Sequence, residues 1–212
     1  MTALDDLVSV MRTLRAECAW DREQTHRSLV PYLLEESAEL VEAIETGDVD
    51  GMREELGDVL YQVLFHADIA AAEEGFDIQD VAAVTIEKMK RRHPHVFGDS
   101  DASTPDEIRQ QWLEVKRQEK ASRASVLDGI PRGMSALALA DKVLGRAEQS
   151  GMLPAGDVPA LPFESEDELG GLLLALVMAS RARGLDAERA LRTTLRGLEA
   201  EIKAGEVEGD SA

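Results

Sequence analysis

The sequence predicts an all-α fold. Aromatic residues make up only 4% of the chain although hydrophobic residues reach 44%. The core must therefore be built from Leu, Val, Ile, Met and Ala, which suit helices better than a sheet sandwich. Apolar residues recur at helical spacing over most of the chain. Gly and Pro fall where those patterns stop, as they do at helix ends.

The elements follow in order. Residues 2–17 read as an amphipathic helix with Leu4, Leu7, Val8, Met11 and Leu14 on one face. Residues 18–28 are polar and irregular. A second helix is expected from Leu29 to Thr46, with Pro31 in its first turn and Gly47 as its stop. A third covers about Val49 to Glu74, and a fourth about Asp77 to Arg92, closed by Pro94. After a loop over 93–103, Thr104-Pro105-Asp106-Glu107 forms a capping box opening a helix to about Ser122. Gly129, Pro131 and Gly133 mark residues 123–133 as a linker. Three further helices are expected at about 134–149, 166–183 and 186–203, with a loop over 150–163. The reading thus divides the chain into a helical domain over 1–122, the linker, and a second helical region over 134–212.

At 212 residues the chain can bury a core without staples. Its 42 acidic against 23 basic residues give a net charge of −19, which a nucleic-acid backbone would repel. Cys18 stands alone, so no intrachain disulfide is expected. The first residues lack the pattern of a signal peptide, and no apolar run is long enough to span a bilayer. A cytoplasmic protein with no membrane partner is the expectation.

The two halves echo each other. Glu55-Leu56-Gly57-Asp58, an apolar run and Gly75-Phe76-Asp77 have a counterpart in Glu168-Leu169-Gly170-Gly171, an apolar run and Gly184-Leu185-Asp186. The second copy is four residues shorter, about one helical turn, and has Gly171 in place of Asp58. Nothing before it matches Leu34-Glu35-Glu36. Residues 134–212 therefore read as a degenerate duplicate.

The candidate chemistry lies in carboxylates. Glu36 and Glu39, or Glu35 and Glu39, share a helix face. Acidic runs on helices are usually solvated faces, so this segment alone says little. The third helix says more. Leu56, Val59, Leu60, Val63, Leu64 and Ala67 fill one side, and Tyr61, Phe65 and Ile69 spread onto the other. A helix apolar nearly all round is a buried one. Within it Glu55, Asp58 and Gln62 form a narrow polar stripe, and a buried carboxylate needs a compensating cation. Arg53 points elsewhere by helical phase. Oxygen-only ligands suit a hard metal, Mg²⁺ or Mn²⁺, and Mg²⁺ commonly completes its shell with water and substrate phosphate. A structural ion-pair network is the alternative. A di-iron bundle requires Glu-x-x-His on two helices, whereas Glu23-Gln24-Thr25-His26 is the single instance.

A triphosphate also needs positive charge from the protein. Lys88-Met89-Lys90-Arg91-Arg92 is the one dense basic cluster, and Lys88 and Arg92 share a face. Cations there also suit a helix C-terminus. Trp112 and Lys116 are likewise four residues apart. No Gly-rich phosphate loop or dinucleotide fingerprint is present.

With these motifs the chain resembles the MazG family of nucleoside triphosphate pyrophosphohydrolases. The pattern E-E-x-x-E then E-x-x-D reads here Glu35-Glu36-Ser37-Ala38-Glu39 and Glu55-Leu56-Gly57-Asp58. The likeness extends to Trp20-Asp21-Arg22-Glu23-Gln24-Thr25, to Arg91-Arg92-His93-Pro94-His95-Val96-Phe97 and to the Trp112–Lys116 segment, covering roughly residues 5–120. It implies an all-α, four-helix MazG-type bundle with additional C-terminal helices. It also implies Mg²⁺-dependent hydrolysis of a nucleoside triphosphate to the monophosphate and pyrophosphate, in a homodimer or higher homo-oligomer. By the same match Glu36, Glu39, Glu55 and Asp58 become metal ligands. Glu35 becomes a further ligand or the group that orients the attacking water. Lys88, Arg92, Trp112 and Lys116 become nucleotide contacts. A narrower dUTP- or dCTP-directed pyrophosphatase and a non-catalytic acidic helical module are the competing readings.

Overall fold

Thr2, Asp48 and Asp77 each stand just before an apolar helical run, and each accepts a hydrogen bond from a backbone N–H of the first turn. These caps set where helices begin in a computed structural model that describes residues 2–119, 123–152 and 161–209. Among those residues the chain forms ten helices and no strand. It divides into two compact units, Met1–Lys116 and Arg117–Ala212.

In the first unit α1 spans Ala3–Glu17, α2 Ala19–Glu23, α3 Val30–Thr46, α4 Val49–Glu73, α5 Ile78–Arg92, α6 Pro94–Phe97 and α7 Pro105–Gln118. Two of these differ from the expectation. Residues 19–23 make a short helix within a stretch read as irregular, and the loop after α5 contains the single turn of α6. Both are too short for hydrophobic periodicity to reveal. At Thr104 the capping box forms as expected, with Glu107 N–H donating to Oγ1 and Thr104 N–H donating to the Glu107 carboxylate. The end of α7 expected at Ser122 lies outside the described residues.

The central element is the α3–α4 hairpin. Gly47 adopts φ +72°, the left-handed conformation that ends α3, and its N–H reaches back to the Ala43 and Ile44 carbonyls. With only Gly47 and Asp48 between them, the two helices must run antiparallel. The second half of α4 is the core: Leu64, Phe65 and Ile69 pack with Met11 of α1 and with Leu29 just before α3. Leu7, Val8, Leu60, Tyr61 and Ile78 border this cluster. The first half of α4 is less covered than its all-round apolar sequence suggests, and Leu56 is 53% exposed. On α3, Ala43 is buried, whereas Val41 and Ile44 are more than half exposed.

In the second unit α8 spans Ala136–Gln149, α9 Glu166–Ala182 and α10 Ala187–Gly209. Leu139, Val143 and Ala147 of α8 pack against Leu195 and Ile202 of α10. Leu127 and Ile130 join the same cluster. Residues 123–133, expected as a linker, therefore supply core side chains from a turn around Gly129, whose φ is +73°. Buried Glu199 is compensated by Arg132, and the Arg146 guanidinium donates to the Val126 and Asp128 carbonyls. The α9 helix packs on α10 but leaves Leu174, Leu176 and Met178 exposed.

Phe65 is fully buried and shares its cluster with three other segments. Phe65→Ala is expected to destabilise the first unit by about 3–5 kcal/mol, read as a lower urea midpoint.

Candidate active site

Residues 36 and 39 lie one turn apart on α3, and residue 55 lies on the facing helix, so the hairpin brings all three acids to one place. A carboxylate oxygen from each of Glu36, Glu39 and Glu55 falls within 4.8 Å of the other two. Asp58, one turn along α4, stands outside this group of three but acts on it electrostatically. The Glu36 carboxyl is held above its ordinary value by desolvation, then by the charge of Asp58, and further by Glu39, Glu55 and Glu35. The Glu55 carboxyl is raised by desolvation, then by Glu39, Asp58 and Glu54. Every charge named there is negative. Arg53 is turned away, with Nη1 3.0 Å from Asp50 Oδ1.

Glu55 Oε2 is buried and has no hydrogen-bond partner. An acid oxygen in that position is costly unless a cation meets it. Three converging carboxylates with no basic partner among the described residues provide hard oxygen ligands of the sort Mg²⁺ or Mn²⁺ takes. The residues present therefore fit such an ion, with Glu36, Glu39 and Glu55 closest together and Asp58 beside them.

The basic and aromatic candidates form a second group. Trp112 on α7 carries Lys116 Nζ 4.4 Å and Arg92 Cζ 5.6 Å from its ring centroid. Both contacts are of cation–π type. Lys88 is half-buried on α5, one turn before Arg92. None of these cations is among the charges acting on Glu36 or Glu55.

Two contacts near the hairpin escaped the sequence reading. Asp21 is buried at 5% exposure and accepts a 3.1 Å hydrogen bond from the Tyr61 hydroxyl. Desolvation, then the Asp21 charge and their hydrogen bond, push the Tyr61 phenol up to about 12. His26 and His66 meet through their Nδ1 atoms at 2.6 Å. Each pair joins residues 40 apart, so no local spacing could announce it.

Over 210 residues the chain is 43% identical to the nucleoside triphosphate pyrophosphohydrolase/pyrophosphatase MazG of Thermotoga maritima, covering 91% of this chain and 81% of that protein. The chain belongs to the MazG family. Residues 24–97 match the model of the MazG nucleotide pyrophosphohydrolase domain. A nucleoside triphosphate pyrophosphohydrolase of Escherichia coli K12 is 38% identical over 217 residues, covering 91% of this chain and 82% of that one. An uncharacterized 26.1 kDa protein of Streptomyces cacaoi is 44% identical over 203 residues, covering 95% and 81%. MazG proteins are hydrolases acting on acid anhydrides, and this chain is one of them. The matched domain runs from just before α3 to the end of α6, so it contains the carboxylates and the basic end of α5 and stops short of Trp112. The all-α architecture is that of the MazG fold. Among the described residues no helix is long and apolar enough to cross a membrane.

The direction of the carboxyl shifts fixes a pH signature for this MazG chain. A raised carboxyl favours the fold below its ordinary value of 4.5 and loses that contribution as pH rises through its raised value. In chelator at pH 7.5, Glu36→Gln is therefore expected to melt higher than the parent protein, with the gap closing towards pH 4.5 in thermal unfolding. Tyr61→Phe, which leaves the buried Asp21 carboxylate without that donor, should cost about 1–3 kcal/mol and abolish the phenolate absorbance step near pH 12.

Proposed function

We propose that the chain hydrolyses nucleoside triphosphates to the monophosphate and pyrophosphate, with Mg²⁺ or Mn²⁺ held by Glu36, Glu39, Glu55 and Asp58. The observation that carries this reading is the buried, unpartnered Glu55 oxygen within a cluster of acids. A bound divalent ion supplies charge neutralisation for the triphosphate and lowers the pKa of a coordinated water. Water adds at the α-phosphorus, the bond from that phosphorus to the bridging oxygen breaks, and pyrophosphate leaves. A carboxylate takes the proton the water loses, and Glu35 serves as a further ligand or orients that water. Lys88 and Arg92 balance the charge of the β- and γ-phosphates, while Trp112 offers a face for a base and Lys116 a cation for phosphate.

Residues 1–122 carry the chemistry on this reading, and 134–212 are a degenerate duplicate. The second half has Gly171 where the first has Asp58, and nothing before it matches Leu34-Glu35-Glu36. Exposed apolar residues on the hairpin, among them Leu34, Val41, Ile44 and Leu56, support a homodimer or higher oligomer. Sedimentation equilibrium should accordingly give at least twice the chain mass.

A panel of ribo- and deoxynucleoside triphosphates, with and without Mg²⁺, tests the reaction. Pyrophosphate rather than phosphate is expected, and chelation should abolish it. Asp58→Ala should lower turnover by about a hundredfold or more while the protein stays folded. Full activity in that variant sinks the site. Turnover confined to dUTP or dCTP would select the narrower activity.

A further inference from the structure

His66 lies two turns beyond Asp58 on α4, and His26 lies four residues before α3 begins. Their rings are parallel within 4°, with centroids 5.0 Å apart and Nδ1 atoms 2.6 Å apart. Face-to-face stacking would bring the centroids closer. The centroid separation is instead the N···N distance extended by one ring radius at each end. The two nitrogens therefore point at each other in the ring planes. One must donate and the other accept, so a single proton occupies the line between them. A metal cannot sit there, because half of 2.6 Å is far short of the roughly 2.0 Å that a nitrogen ligand needs.

We propose that His26 and His66 are positioning residues for the metal site. One shared proton ties the entry of α3 to the middle of α4 and holds Glu36 and Glu39 in register with Glu55. A second proton would set two N–H groups head to head and part the rings. This link to metal binding rests on the proposed function; the shared proton does not.

The surroundings favour one proton over two. Nε2 of both rings is buried without a hydrogen-bond partner. On α4, Glu74 lies 3.7 Å from His26 Nε2. From α1, Arg15 donates to the Gln24 carbonyl at 3.4 Å and to Asp68 at 3.1 Å, and Arg12 stands 4.0 Å from Asp68. Arg12 and Asp68 also line a cavity with Asp77 at the start of α5. Arg27, next to His26, is exposed. Burial, and then His26, hold the His66 imidazole below its ordinary value of 6.5. The unfolded chain thus takes up a proton that the fold refuses, and the contribution of the pair is lost as pH falls below 6.5.

The test uses the full chain with ¹⁵N-labelled histidine. Between pH 8 and 6 the two Nδ1 resonances should show a scalar coupling across one hydrogen bond, with no more than one extra proton taken up by the pair. Independent titration of the two rings without coupling overturns the proposal. Mn²⁺ binding is then measured at pH 7.5 and 5.5 in the parent, His66→Gln and His66→Ala proteins. Glutamine can accept from His26 but cannot titrate, so His66→Gln should match the parent at pH 7.5. It should then lose about fivefold less affinity than the parent on acidification. His66→Ala should bind about fivefold more weakly at both pH values. Equal pH dependence in the parent and His66→Gln overturns the positioning role. Absence of Mn²⁺ binding in all three overturns the metal site and that role together, whereas a coupled spectrum would still establish the shared proton.

Discussion

Like charges held together against their repulsion set the terms for the first unit. Glu36, Glu39 and Glu55 are brought within reach of one another by the tight α3–α4 hairpin. Desolvation first, and then neighbouring charges that are all acids, raise the Glu36 and Glu55 carboxyl values. Folding energy generated elsewhere has to sustain this arrangement. The hairpin can bear it because its far half is anchored in the core.

That division runs along α4. Its second half gives Leu64, Phe65 and Ile69 to the core, where α1, α5 and the entry to α3 converge. Its first half presents Glu55 and Asp58 to α3 and keeps some of its apolar surface uncovered. Asp21 and Tyr61, with His26 and His66, bracket the passage from one half to the other. Stable packing and unstable charge thus share one rigid element, and a rigid helix can hold functional side chains in place more accurately than a loop.

The second unit is stabilised differently. Its core is α8 against α10, completed by Leu127 and Ile130. Its buried acid, Glu199, has Arg132 as a partner, the structural solution that the first unit's cluster lacks. The contrast separates a carboxylate paired with a basic side chain from carboxylates whose neighbouring charges are other acids.

The sequence alone determined the helices and the kinship of the chain. Caps, stops and apolar periodicity are local, and they placed the long helices to within a few residues, except that α10, expected to end near 203, continues to Gly209, while the spacing of Glu36, Glu39, Glu55 and Asp58 pointed to one shared site. Tertiary structure decided which apolar stripes are covered, because periodicity marks a face without naming what packs on it. Hence Val41 and Ile44 lie outside while Ala43 lies inside. It also decided that Asp58 stands beside the closest three acids, that residues 123–133 feed a core, and that Asp21 meets Tyr61 and His26 meets His66. Those contacts join residues distant in sequence, and their geometry exists only after α1, α3 and α4 have packed.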